Sequence, residues 1–422
     1  MKILILNQAF HPDVVATAQH ASDLAIALSR EGHDVSVVCS VRGYADRKLR
    51  FPRRENWNGI QVFRVWSPGL GKSRKWTRAL DFAVFMAACA IRILLLSQFD
   101  VVIALTSPPL ISFLAALAVP LRAKRLVFWS MDLNPDEAIA AGWLRDGSYT
   151  SRLLSWMMRY SLFRAERIIA LDRFMKERIV AKGIAEHRIS VLPPWSHDQH
   201  VRFDCEGRES FRAAHDLKDK FVVMYSGNHS PCHPLDSVVA AAEHLSNRED
   251  IIFCFVGGGS EFHKISKWAE ARNAKNIICL PYQPIDNLSA SLSAADLHVV
   301  VMGSKYVGIV HPCKVYNILA VSKPFLYIGP RGSHVCDIMS EMTQLRMDTY
   351  SASTDCIPEV VAAILRAQHR STTPASSTQQ VAQRFSQASL MPEMLRFIEK
   401  AAANDPLRGR AALVDPNLTA HP

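Results

Sequence analysis

Residues 1–40 read MKILILNQAFHPDVVATAQHASDLAIALSREGHDVSVVCS. Ile3–Asn7 is a short apolar run that ends in polar residues, the mark of a buried strand running into a loop. Ala18–Ser29 then has helical spacing, with Ala21, Leu24, Ala25 and Leu28 on one face. The helix stops at Glu31-Gly32, and Val35–Cys39 is a second apolar run. Strand, loop, helix and strand in this order predict a βαβ unit of an α/β fold, with strand ends facing one crevice.

The same rhythm continues outward. Gly59–Trp66, Val101–Leu105, Leu126–Trp129, Ile168–Leu171 and Ile189–Leu192 read as further strands, and Pro193-Pro194 ends the series. The polar stretch Ser196–Glu209 reads as a linker. The pattern then restarts with strands at Phe221–Tyr225, Ile251–Val256, Ile277–Leu280, Leu297–Met302 and Pro324–Ile328, and a helix at Leu235–Leu245. Two Rossmann-like domains are therefore predicted, over 1–200 and 201–384. Ser371–Thr378 is a Ser/Thr/Pro-rich hinge, residues 385–402 form a last helix, and 403–422 a polar, disordered tail.

A chain of 422 residues, 49% hydrophobic and 21% charged, suits two packed cores. Nine cysteines stand without a C-x-x-C pair or zinc spacing, so reduced thiols in the cytoplasm are expected. The apolar run at the N-terminus is too short for a signal peptide. The net charge of +10 is uneven: residues 1–200 hold 27 Lys/Arg against 17 Asp/Glu, and the rest hold 22 of each. A basic half suggests an anionic partner, or simply a solubility surplus. No nucleic-acid motif accompanies the charge, so nucleic acid is not expected. Ala79–Ser97 carries Asp81 and Arg92 and Pro108–Val119 is short, so neither reads as a membrane span. Both suit buried helices. Alternatively Trp76–Leu96, whose apolar body follows Lys72, Arg74, Lys75 and Arg78, lies on an anionic membrane at the inner face.

Four loops of the second half sit where strands end, the ligand edge of an α/β sheet. In Ser226–Pro234, Gly227 lets backbone N–H groups approach a phosphate, with Asn228, His229 and His233 beside it. Gly257-Gly258-Gly259 permits close backbone approach to a ligand. Leu280–Pro284, with Tyr282, offers backbone groups to a base edge. Each also reads as an ordinary turn. In Gly308–Pro324 a helix is expected to start near Cys313, with Lys314 in its first turn beside His311 and Tyr316. A cation there opposes the helix dipole unless an anion shares the site. Asn317 follows one turn later, placed for a ribose hydroxyl. In the first half the loop Asn7–Thr17 carries His11, Asp13 and Thr17 into the cleft, and Asp132 ends another strand. Asp132 is a candidate for holding a sugar hydroxyl or accepting a proton, or else a helix cap.

The ordered set REGHDVSVV, WSMDLNPD, VLPPW, YSGNHS, CFVGGGSE, LPYQP, SAAD and HPCKVYNILAVSKP resembles the retaining glycosyltransferases of family four. The likeness is greatest to the bacterial branch that builds colanic acid, capsule and O-antigen polysaccharides, and it spans residues 1 to about 400. The resemblance implies the GT-B fold, two Rossmann-like domains facing across a cleft. The first would take the acceptor through His11, Asp13 and Thr17, and the second the donor. It implies a final helix crossing back onto the first domain, no metal and no cofactor. It also implies a nucleotide-sugar donor, with UDP favoured, and a lipid-linked or saccharide acceptor. Where the family has an arginine, a lysine and two glutamates, this chain has Asn228, His233, Ile309 and Asn317. Lys314 keeps the phosphate role, helped by His233, with Asp132 as the third catalytic candidate. The second reading is a nucleotide-sugar-binding or scaffold protein of the same fold, without catalysis.

Overall fold

The computed structural model describes residues 1–44, 48–69, 75–197, 200–345, 347–370 and 376–403, with side chains omitted at 75, 76, 78, 376 and 377. The first half is β1 (Lys2–Leu6), α1 (Ala16–Arg30), β2 (Asp34–Ser40), β3 (Arg54–Trp57), β4 (Ile60–Val65), α2 (Lys75–Leu95), β5 (Phe99–Ala104), α3 (Ile111–Arg122), β6 (Ala123–Ser130), α4 (Asp136–Ala140), α5 (Tyr149–Arg164), β7 (Arg167–Ala170), α6 (Arg173–Ala181) and β8 (Ile189–Val191). Its sheet runs β3-β4-β2-β1-β5-β6-β7-β8, parallel except at β3/β4. The order reverses between β1 and β5, which leaves a crevice at their carboxyl ends.

The second half is α7 (Cys205–Ala214), β9 (Phe221–Asn228), α8 (Asp236–His244), β10 (Ile251–Gly258), α9 (Ser260–Arg272), β11 (Ile277–Leu280), α10 (Leu288–Ser293), β12 (Leu297–Val301), α11 (Lys314–Ala320), β13 (Phe325–Ile328), α12 (His334–Gln344), β14 (Tyr350–Ala352), α13 (Ile357–His369), α14 (Ser376–Arg384) and α15 (Gln387–Ala403). All six strands are parallel, in the order β11-β10-β9-β12-β13-β14. Here the crevice opens between β9 and β12.

Three local readings change. The run Gly59–Trp66 is one arm of a hairpin. Asn58 (φ 51°) and Gly59 (φ 81°) form its turn, and Arg54–Trp57 pairs antiparallel to the strand. Two left-handed residues give the tight turn that an Asn-Gly pair favours. The linker is shorter than Ser196–Glu209, because Asp204 caps α7 by accepting from the Gly207 N–H at 2.9 Å. The hinge Ser371–Thr378 overlaps α14, which begins at Ser376, while 371–375 fall outside the described residues. The tail from residue 404 also falls outside them, as do Lys72 and Arg74.

α15 packs on the first sheet although it follows the second in sequence. Leu390, Met391, Met394, Ile398 and Ala401 share a helix face and join the cluster built on β1, β5 and β6. Burying large apolar side chains at about 1.5–3 kcal/mol each holds the helix there. Helices α2 and α3 are not wholly buried, since Leu95 is 73% and Leu121 61% exposed. No described helix is long and apolar enough to cross a membrane.

Candidate functional site

The floor of the second crevice is glycine. β9 and β10 run on through Gly227↔Gly257 and Asn228↔Gly258, longer than their apolar runs. A Cβ on Gly257 (φ 135°) would lie 2.1 Å from the Gly227 carbonyl oxygen, so only glycine fits. Gly258 lies flat against Tyr282, whose ring carbon would be 3.0 Å from a Cβ there.

Lys314 begins α11 and reaches under this floor. Its Nζ stands 3.4 Å from the centre of the Tyr225 ring and 3.8 Å from the Cβ position of Gly227. The ring is fixed by its hydroxyl, which donates to the Asn228 carbonyl at 3.0 Å. The ammonium is buried and has no hydrogen-bond acceptor among the described residues. Burial pushes its pKa well below the ordinary lysine value. The cation–π contact compensates part of the lost hydration, but none of the three donors is satisfied.

The neighbouring histidines are neutral. His229 Nδ1 donates to the Gly227 carbonyl at 2.9 Å, and burial with the Lys314 charge pushes the ring down to about 4. His233 Nδ1 donates to the Val301 carbonyl at 2.7 Å, and the same causes push it down to about 3. His233 therefore adds no positive charge beside Lys314 in the ligand-free protein. Asn228 is exposed at the rim.

His311, Tyr316 and Asn317 form part of the seam between the domains. Asp172, which caps α6 through the Met175 N–H, accepts from His311 Nδ1 at 2.7 Å. His311 Nε2 lies 2.7 Å from the Tyr316 hydroxyl, and its ring stacks on His334 at 3.7 Å. Both ring nitrogens of His311 are thus engaged within the seam. Asn317 Oδ1 accepts from the His197 N–H at 3.1 Å, which ties it to the linker and takes the oxygen expected for a ribose. Asp172, His311 and His334 hold possible metal-ligand atoms within 4.8 Å of one another. A metal bound through His311 Nδ1 would have to displace the hydrogen bond to Asp172, which already joins the two domains. Arg173 completes the seam with a fork to Asp337 at 2.8 and 3.1 Å.

From the first domain, Asp132 and Glu137 reach the same cleft. Burial, with the Glu137 charge added, pushes Asp132 up to about 8, so it is protonated at neutral pH. In its protonated form it can donate a hydrogen bond. Glu137 accepts from Asn134 Nδ2 at 3.0 Å, and the Cys232 thiol points at it from the second domain at 4.0 Å. The Leu133 N–H donates to the Ile309 carbonyl at 2.9 Å, joining the domains at this point. The loop Asn7–Thr17 is largely engaged. His11 stacks on Trp57 at 4.1 Å, Asp13 accepts from the Tyr44 N–H, and Thr17 is half-buried. Sequence reasoning missed Tyr225, Glu137, Asp172 and His334. Tyr225 hides in an apolar run, and the other three acquire their roles only once the fold sets them beside groups distant in sequence.

Two doubly wound domains, with a glycine floor and a buried lysine in the cleft, define the GT-B class. Residues 16–195 match the glycosyl transferase 4-like domain and residues 207–328 the glycosyl transferases group 1. The chain belongs to the family-four glycosyltransferases. It is 26% identical over 385 residues to a protein assigned to colanic acid biosynthesis as a glycosyl transferase, WcaI of Escherichia coli (strain K12), covering 86% of this chain and 90% of the relative. Among solved structures it is similar to sucrose-phosphate synthase from Thermosynechococcus elongatus (TM-score 0.73, 12% identity, 95% of this chain and 98% of that one). It is also similar to Anabaena Alr3699/HepE in complex with UDP and glucose (TM-score 0.70, 14% identity, 95% and 100%).

Proposed function

We propose that the chain transfers a hexosyl or N-acetylhexosaminyl group from a nucleoside-diphosphate sugar, with UDP as the carrier, to a saccharide or lipid-linked acceptor. The setting is cell-surface polysaccharide assembly at the cytoplasmic side of the membrane. The observation that carries this is Lys314, a buried ammonium without an acceptor beside the Gly227 and Gly257 backbone. A diphosphate is the chemistry that satisfies it. The name of the Escherichia coli relative supports polysaccharide assembly, and the UDP and glucose of the Anabaena complex support the donor.

In this reading Lys314 stabilises the charge that develops on the departing diphosphate, so neither a metal nor a cofactor is required. The acceptor hydroxyl attacks the anomeric carbon from the face the diphosphate leaves. The carbon–oxygen bond to the diphosphate breaks, and the hydroxyl proton passes to the departing phosphate oxygen. Configuration is thereby retained without a protein nucleophile. Protonated Asp132 donates to a hydroxyl of the transferred sugar.

Calorimetry with UDP tests the assignment. Lys314→Ala removes charge-assisted bonds worth about 1.5–3 kcal/mol, so affinity falls by roughly one to two decades. Equal affinity in the two proteins would sink it. Release of UDP from UDP-sugars by the purified protein, with and without a lipid acceptor, separates an enzyme from a silent binding protein of this fold.

A further inference from the structure

Helix α3 lies between α2 and α5 and packs against both, on one face of the first sheet. Their outward sides carry Leu94 and Leu95 on α2, Leu121 on α3, and Leu153, Trp156 and Phe163 on α5, all exposed. The three helices contain a single acidic residue, Asp81, and it is buried, accepting from the Gly69 N–H at 2.9 Å. They also contain Arg92, Arg122, Arg152, Arg159 and Arg164. So wide an apolar face, flanked by these arginines, is not an ordinary solvated surface.

On α5 the face is shaped into a groove. Arg152, Ser155, Trp156, Arg159, Tyr160 and Phe163 line about 600 Å³. Phe113 of α3 backs it, with its ring 5.8 Å from Trp156 and 5.6 Å from Tyr160. The Arg159 guanidinium lies over the Phe163 ring, 5.9 Å from its centre. The walls are thus aromatic and the rim is cationic.

We propose that the α2–α3–α5 face docks on an anionic phospholipid bilayer, with a lipid phosphate held between Arg152 and Arg159. A second copy of the chain does not fit, because a symmetric contact would bring these arginines together with no carboxylate between them. A bilayer offers phosphates at one depth and apolar chains below, which matches arginines flanking exposed leucines and a tryptophan. The proposal moves the centre of contact from the basic cluster before α2 to the groove on α5. It rests on the proposed function in bringing a lipid-borne acceptor to the cleft.

Flotation of the full chain with vesicles tests it, using phosphatidylcholine alone and phosphatidylcholine mixed with phosphatidylglycerol. Binding is expected only to the mixed vesicles, and it should fall as salt rises. Arg152→Ala with Arg159→Ala should lower partitioning about 30-fold, with UDP affinity and melting temperature unchanged. Trp156→Ala should weaken binding and leave its salt dependence in place. Equal binding to both vesicles, no binding to either, or a double variant that binds like the parent would overturn the proposal. Binding lost only on neutralising Lys72, Arg74, Lys75 and Arg78 would move the contact to α2 and overturn the α5 groove. A chain that docks on vesicles but binds no nucleotide would sink the proposed function and leave this inference standing.

Discussion

Burial and the nearby Glu137 charge hold the Asp132 carboxyl at about 8 against an ordinary 3.8. The folded protein therefore keeps a proton that the unfolded chain gives up, and stability drains away as pH rises across that interval. Asparagine mimics the protonated acid and carries no such penalty. Asp132→Asn should match the parent near pH 4 and become progressively more stable relative to it up to about pH 8, as read by urea midpoints across a pH series. A constant difference at every pH would show that Asp132 is ionised in the fold. Lys314 shows the opposite case, a base pushed down by burial. A bound diphosphate raises that pKa again, so UDP binding should take up a proton at any pH where the free side chain has lost one. Calorimetry in buffers of different ionisation enthalpy would detect it, and a buffer-independent enthalpy would count against the diphosphate role.

At the scale of elements, α15 is the one whose packing partner lies farthest away in sequence. Met394 and Ile398 sit one helical turn apart at the centre of its buried face, both fully buried against the first sheet. Met394→Ala should cost about 2–5 kcal/mol, the range for emptying a buried site. The loss should appear in the unfolding of the first domain, followed by its tryptophans Trp129 and Trp195, which are buried in the same cluster. A loss confined to the second domain would mean that α15 does not hold to the first. Upstream of α15, the Phe385 carbonyl accepts from the Ser196 N–H at 2.7 Å, so the linker and the returning chain cross side by side.

For the whole molecule, the seam around Asp172 sets how the two domains sit. Burial works against its carboxylate, but the His311 hydrogen bond and the His311 and His334 charges outweigh it and hold it at about 2. A depressed acid contributes stability above its unfolded value near 3.8, and that contribution is lost as pH falls through the folded value. The difference amounts to about 2 kcal/mol. Since both histidines belong to the other domain, protonating Asp172 should loosen the closed arrangement. Small-angle scattering should find the parent expanding as pH drops from about 4 towards 2, and Asp172→Asn already expanded at neutral pH. Superimposable profiles for the two proteins would show that other contacts, Arg173–Asp337 among them, hold the seam alone.

The order of apolar runs and punctuating glycines was enough to place two α/β halves, because each βαβ unit is written in local periodicity. The Gly227 and Gly257 floor was legible for the same reason: positive φ and close backbone approach demand glycine wherever they occur. Lys314 could be found because a cation at a helix start is locally unfavourable. The tertiary structure decided the rest. It set His311, Tyr316 and Asn317 in the seam, pushed the His233 pKa down and the Asp132 pKa up, and put α5 beside α3. Each of these depends on which groups the fold brings together from distant parts of the chain and how much water is excluded between them, and neither quantity is written in the spacing of residues along the chain.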